Sequence, residues 1–454
     1  MALSENIASG EVRRRWLPCF IIGLIVFGPA PTRPAVADET SPVMIVFGRN
    51  SATLRYATWS GAAWSAPADI ASVGSEPYWV VLKNAPTRDE FLCAILTTDK
   101  EVHALVHNGA AWNAPAQLCA DAGTASQRVI SVAYEQQSGD GLIVYYDNAE
   151  TNLGYRTYNG TTLSAESDLA TVDNAACEYL ALYARPESDD VILLAALAND
   201  KLTASVWNGA AWSAWTTLET QIAATTTECF ALAFESQSQD ALVVYSVTGS
   251  AQPRNRTWNG ATWTGESSMA STGGSEHAFL RLAAKPSGDE IILGALDVGD
   301  AVYINVWNGS AWGAYVTAVT DAGASDTRTF DVGYQNGGAN GLAVYRPGNQ
   351  QKYHYRTWNG TAWSGDTNGP QSGGRCEFIQ FRHGAVAGDG FIALNDSKDD
   401  LNVVRWNGTT MTDLQELETS LVTTLTQPFM LAGPPYSNGP RVILWREVPN
   451  PDIP

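Results

Sequence analysis

A hexapeptide of the form W-N-G-x-x-W returns about every fifty residues. Its copies are Trp59–Trp64, His107–Trp112, Tyr158–Leu163, Trp207–Trp212, Trp258–Trp263, Trp307–Trp312, Trp358–Trp363 and Trp406–Met411. Twelve of the sixteen tryptophans lie in these copies, so most of the chain's indole surface is committed to the repeat. A period of about 40–50 residues marks a propeller or a solenoid before any other fold. The content of one period decides between them. Phe230–Phe234 is a short apolar run, Ser236–Asp240 a polar turn, and Ala241–Val247 a second, β-branched run. A loop leads to Arg254–Trp258, then Asn-Gly, then Thr262–Met269. Four short strands and three turns fill the period and leave no room for a helix. Four antiparallel strands per period make a propeller blade. The strands are termed A to D from the inside out.

The hexapeptide is then the C–D hairpin, because Asn-Gly tolerates the positive φ of a tight turn. With N-G-x-x as the whole loop, its two aromatics face each other directly; a two-residue turn would set them diagonally on one face. Either way they form an aromatic plate, with each indole carrying about 150–250 Å² of surface. The first use of such a plate is to seal one blade to the next. Strand B runs such as Gly141–Tyr145 and Val191–Leu197 are nearly continuous apolar segments, as strands covered on both faces must be.

The chain ends predict closure. Met44–Gly48 is a B-like strand with no strand A before it, and Pro428–Ala432 is an A-like strand after the last copy. Pairing of the two would complete an eight-bladed ring. Arg441–Arg446 reads as a further strand B and competes for the same place. The copies also alternate, at two-step spacings of 99 to 100 residues, so the repeating unit is a pair of blades taken four times. Three odd-numbered blades carry Arg156, Arg256 and Arg356 two residues before the motif aromatic, hence on its face of strand C. The same blades carry Glu166, Glu266 and Asp366 eight residues after it. Glu178, Glu276 and Glu377 precede the next strand A. Simple strand parity points the acid at +8 away from the Arg and makes the later Glu its partner. A repeated Arg–carboxylate brace between blades is the structural reading. Sugar recognition is the functional one, since aromatic faces stack on sugar C–H faces and Arg and Glu bind hydroxyls.

Residues 1–37 carry Arg13–Arg15, an apolar run from Trp16 to Ala30 and an Ala35-Val36-Ala37 cleavage pattern, so they are expected to be a secretory signal. Residues 38–454 are then a single propeller domain, secreted or in the periplasm or cell envelope. Removal of residues 1–37 leaves 23 basic and 45 acidic residues, a net charge of −22. Such a surface repels phosphate backbones, so nucleic acid is not an expected partner. No other stretch is apolar and long enough to insert in a membrane. Five cysteines remain, Cys93, Cys119, Cys177, Cys229 and Cys376; only Cys93 with Cys119 merits consideration as a disulfide. No metal or cofactor motif is present, and none is expected.

The layout resembles Trp-rich β-propeller lectins: fungal fucose-specific lectins, in which an Arg-bearing strand runs into W-D-G-x-x-W-like hairpins, and bacterial lectins whose blades end in W-x-G-x-x-W. The resemblance runs from Met44 to Met411, blade by blade. It implies non-catalytic glycan binding between blades, with Arg156, Arg256 and Arg356 as candidates beside Trp258, Trp358, Glu178, Glu276 and Glu377. Two other functions are weighed against it. One is an extracellular or envelope scaffold that binds a cell-surface protein. The other is a sialidase-like hydrolase or lyase, for which the S-x-D-x-G-x-T-W boxes and any G-x-S-x-G or H-E-x-x-H motif are missing. The expectation is an all-β, eight-bladed propeller of four-stranded antiparallel blades, pseudo-fourfold in blade pairs, that binds ligand without catalysis.

Overall fold

The computed structural model describes residues 43–433 except 324–325, 338–339, 385–387 and 422–426. The signal expected at 1–37 and the rival strand at 441–446 lie outside the described residues. Eight four-stranded antiparallel sheets form a ring, an eight-bladed β-propeller. The fifth blade shows the plan: strand A is Phe230–Phe234, B Ala241–Tyr245, C Arg254–Trp258 and D Ser267–Ser268. Among the described residues the one helical piece is the short 3-10 turn Val172–Asn174. Strand B is buried from end to end in most blades, as in Gly141–Tyr146 and Val191–Leu197. Its apolar runs fill the space between sheets on both faces.

Closure is made by strand Val43–Arg49 of the first blade. It pairs with strand Phe429–Ala432, Met44 opposite Ala432 and Phe47 opposite Phe429. The chain's far end thus supplies strand A of the first blade, and hydrogen bonds close the ring with no free edge at the joint. Arg55 adds an ion pair to Glu418 of the eighth blade at 3.0 Å.

The alternation in the sequence is visible in the backbone. The amides of Val80, Leu180, Leu280 and Ile379, on strand A of the even blades, donate across to the carbonyls of Gln427, Arg128, Glu228 and Arg328 at 2.7–3.4 Å. Each bond joins an even blade to the odd blade before it. The blades therefore lock in pairs around the axis. The A–B turns repeat the lock: Asp189 Oδ1 accepts the Gln137 and Ser138 amides at 3.0 and 2.8 Å, and Asp289 Oδ1 accepts those of Gln237 and Ser238 at 2.9 Å.

Each hexapeptide is a four-residue loop, with Trp59 opposite Trp64, Trp207 opposite Trp212 and Trp258 opposite Trp263. The Asn holds the loop with its side chain. Asn208 Oδ1, for example, accepts the amides of Ala210 and Ala211 at 3.1 and 2.9 Å. The Gly that follows has φ near +90° in every copy, a region costly for any residue with a Cβ. The five cysteines among the described residues are buried and free. Cys93 and Cys119 do not bond: they lie on strands B and D of the second blade with strand C between them. Two inter-strand steps of about 4.8 Å exceed the reach of a disulfide. Among the described residues no helix is long and apolar enough to cross a membrane.

Candidate functional site

The first aromatic of each hexapeptide is a seal. Trp207, Trp258 and Trp307 are 4–9% exposed, and Trp406 is fully buried. The Trp406 indole N–H has no partner among the described residues, but those of three other blades do. Trp207 Nε1 donates to Glu135 Oε1 at 2.7 Å and Trp307 Nε1 to Glu235 Oε1 at 2.6 Å, each carboxylate belonging to the preceding blade. Trp358 does the same to Glu290 at 3.0 Å. Burial pushes the Glu135 and Glu235 carboxyls up, against the pull of these hydrogen bonds. Trp258 is capped by the Arg185 guanidinium, 5.3 Å from its ring centre. Trp258 and Trp358 therefore hold blades together. The second aromatics of the hairpins, Trp112, Trp212, Trp263, Trp312 and Trp363, are only half-buried and offer the open rings. The indole N–H groups of Trp112, Trp212 and Trp312 have no partner among the described residues.

Arg156, Arg256 and Arg356 occupy matched places, and each meets its own blade. Arg156 donates to the Tyr145 hydroxyl, the Ser164 carbonyl and Glu166, the last at 3.1 Å. Arg256 donates to the Tyr245 hydroxyl at 3.2 Å, and that hydroxyl reaches Glu266 at 2.9 Å. In the seventh blade Tyr345 and His354 hold Asp366, while Arg356 bonds the Ser364 carbonyl. The expected choice of the later Glu as partner is thus corrected, and a register shift explains it. Trp258 lies opposite Trp263, but Asn255 lies opposite Ser267. Three steps on strand C match four on the outer strand. The extra residue reverses parity and sets Glu266 across from Arg256. The first, third and seventh blades share the shift.

Glu178, Glu276 and Glu377 lie elsewhere, at the start of strand A of the following blade. Thr225 donates to Glu178, the Gly249 amide to Glu276, and Arg375 to Glu377 at 3.5 Å. The structure gives them no bond to Arg156, Arg256 or Arg356.

A cleft of about 270 Å³ opens between the second and third blades. Trp112, Asn108 and Asn113 line one side, and Tyr158, Thr161 and Leu163 the other. Arg156 stands two residues from Tyr158 on the same face of strand C. Rings, side-chain amides and a hydroxyl around an open space suit an uncharged polar ligand with apolar faces. Among the described residues no three His, Cys, Asp or Glu side chains converge as a metal site would need.

The sequence reading missed an ionic cluster on the ring axis. Arg128, Glu228, Arg328 and Gln427 are matched residues of the four odd blades and touch in turn. Arg128 meets Glu228 at 3.0 Å, Arg328 meets Glu228 at 2.7 Å, and Arg328 donates to Gln427 at 3.1 Å. Asp331 sits above with Arg281 at 3.1 Å and Arg382 at 3.9 Å. Burial alone would raise the Glu228 carboxyl, but the guanidinium groups of Arg328, Arg281 and Arg128 hold it down at about 2. Lys83 is pushed down to about 7, first by burial and then by Arg382, Arg281 and Arg128. The signal was available: a polar or charged residue stands just before strand A at 128, 228, 328 and 427, one per blade pair.

No model of a known protein family matches the chain, and no curated protein matches it. Solved structures do. The BP39L lectin of Burkholderia pseudomallei is similar at a TM-score of 0.55 with 11% identity, over 75% of this chain and 99% of that one. The dihydro-heme d1 dehydrogenase NirN is similar at 0.57 with 11% identity, over 86% of this chain and 76% of that one. At this identity the likeness is one of fold, shared by a lectin and a dehydrogenase alike. The fungal lectin of Aleuria aurantia, a six-bladed β-propeller, aligns at only 0.37 and carries no weight.

Proposed function

We propose that this chain is a secreted, non-catalytic saccharide-binding protein whose ligand sits in clefts between blades. The observation that carries the reading is the cleft between the second and third blades, where an open Trp112 ring faces Tyr158 across a space bordered by Asn108, Asn113 and Thr161. The Arg–Tyr–acid sets of the third, fifth and seventh blades lie beside the equivalent hairpins. Their recurrence suits a multivalent ligand. Arg156, Arg256 and Arg356 then act by fixing the hairpin wall and its Glu166, Glu266 and Asp366 neighbours. Glu178, Glu276 and Glu377 lie outside the cleft. The described cysteines support the absence of catalysis by thiolate, since burial raises each thiol, Cys119 to about 12 and Cys376 to about 11. The lectin neighbour BP39L is consistent with this reading at the level of fold.

A glycan-array screen of the secreted chain tests it, followed by calorimetry on any sugar that binds. Trp112→Ala is expected to weaken binding by about tenfold, the loss of one stacking face. Silence across the array, or unchanged affinity in Trp112→Ala together with Trp212→Ala and Trp312→Ala, overturns the proposal.

A further inference from the structure

The axial cluster is unbalanced. Among the described residues it holds five cations, Lys83, Arg128, Arg281, Arg328 and Arg382, against two carboxylates, Glu228 and Asp331. Both carboxylates are already engaged. Glu228 bonds Arg128 and Arg328, and Asp331 bonds Arg281 and the Phe381 amide. Lys83 has no ion-pair partner among the described residues. Buried charge without a counter-ion is costly, and a protein with a net charge of −20 has acidic residues to spare. Their exclusion from the axis needs a reason.

The cations are layered. Lys83, Tyr183, Ala283 and Arg382 are the seventh residues of strands Pro77–Asn84, Cys177–Ala184, His277–Ala284 and Cys376–His383. Arg281, two residues earlier on its strand, lies one layer deeper. The cluster is closed at its deep side, where the Arg328 and Asp331 side chains are 2% and 0% exposed. It is open at the other, where Arg281 and Arg382 retain 20% and 27%. Lys83 and Tyr183 are half-buried in this same layer. The arrangement is a cup with cationic walls, one phenol donor and a floor sealed by ion pairs.

We propose that the open end of the ring axis binds a small oxyanion, with Lys83, Arg382 and Arg281 as its cationic wall and the Tyr183 hydroxyl as a further donor. Guanidinium forks match the paired oxygens of carboxylate, sulfate or phosphate. The acidic outer surface repels anions, so the axis is the place where a positive field is concentrated. The bound anion supplies the counter-charge that Lys83 lacks among the described residues.

The pH dependence follows from the groups that face the site. Burial and neighbouring charge leave Lys83 near 7, while Tyr183 is raised by burial and Arg281 by Asp331 and Glu228 against burial. Glu228 and Asp331 are held low by the surrounding guanidinium groups despite burial. His383, next to Arg382, is lowered by burial to about 4 and is neutral throughout. A guanidinium group is charged across this range in any protein. Between pH 6 and 8.5, Lys83 is the group whose charge changes.

Calorimetric titration of the intact protein with sodium sulfate, sodium phosphate and sodium acetate tests the site, with sodium chloride at matched ionic strength as the reference. At least one oxyanion is expected to bind saturably at one site per chain, and the three arms distinguish sulfate-, phosphate- and carboxylate-type ligands. Sulfate, whose own charge is constant in this range, carries the pH comparison. If sulfate binds, its affinity is expected to fall about tenfold from pH 6 to 8.5, the loss of one charge-assisted bond. Lys83→Met is expected to bind about tenfold more weakly at pH 6 and to lose the pH dependence. Arg382→Gln, which leaves the ion pairs of Glu228 in place, serves as a second variant, and circular dichroism verifies that each is folded. Absence of saturable heat from all three anions, or affinities unchanged in both folded variants, overturns the proposal.

Discussion

His277 opens strand A of the sixth blade with no exposed surface, its amide bound to the Ser246 hydroxyl at 2.8 Å. Neither ring nitrogen has a partner among the described residues, and the ring packs edge-on against Tyr303 at 6.3 Å. Burial therefore favours the neutral ring and lowers its pKa to about 4, with Asp297 pulling weakly the other way. In the unfolded chain the same ring titrates near 6.5. Between these values the unfolded state binds a proton that the folded state refuses. Stability from this residue is present above pH 6.5 and falls as pH drops toward 4, by about 3 kcal/mol when the ring is fully charged only on unfolding. Urea denaturation of the wild type against His277→Gln checks this. The variant is expected to be less stable at pH 7.5, because its buried amide finds no partner, yet to lose less between pH 6.5 and 4. Parallel pH profiles for the two proteins would refute the assignment.

At the scale of the element, the hairpin glycines offer a controlled comparison. Gly260 and Gly360 hold the same place in two blades, at φ +92° and +91°. A Cβ added to Gly260 would lie 2.7 Å from the Arg185 guanidinium, whereas one added to Gly360 meets nothing within 4 Å. Both substitutions to Ala cost the strain of left-handed backbone, about 1–2 kcal/mol. Gly260→Ala must also displace the guanidinium that caps Trp258, so its chemical-denaturation midpoint is expected to fall further than that of Gly360→Ala. Equal losses would mean that the Arg185 cap contributes nothing. These hairpins were legible in the chain because Asn-Gly and its flanking aromatics report local backbone geometry directly, and so were blade number and blade pairing. The partner of Arg256 was not. One extra residue between Trp263 and the two-residue outer strand, Ser267–Ser268, inverts parity, and no local propensity marks where it enters. Nor was the burial of Trp258 against the opening of Trp263 legible, since both are tryptophans facing each other and only the neighbouring blade tells them apart.

The whole ring depends on what happens at its axis, where the inner strands meet and ion pairs are set between blades. Glu228 there joins Arg128 and Arg328, residues from the two nearest odd blades, 100 residues to either side. Each contact closes a long span of chain. Glu228→Gln would leave four guanidinium groups facing Asp331 alone, and removal of one partner from a buried ionic set costs about 3–5 kcal/mol. Lys83→Met acts in the opposite sense, because it deletes a cation that has no described counter-ion and replaces it with a side chain of similar reach. Its stability in dilute chloride buffer at pH 6 is therefore expected to equal or exceed that of the wild type. Acid titration separates the two effects. The Glu228 carboxyl titrates near 4.5 when unfolded and is held at about 2 when folded, against the cost of burial, by Arg328, Arg281 and Arg128. Its contribution is complete above pH 4.5 and is lost as the pH falls toward 2, so the wild type and Glu228→Gln should converge across that window. Calorimetric unfolding at pH 6, 4 and 2.5 measures the gap. A gap that does not narrow, or a Lys83→Met protein less stable than the wild type at pH 6, would show that the axis is not held in the charge balance its contacts describe.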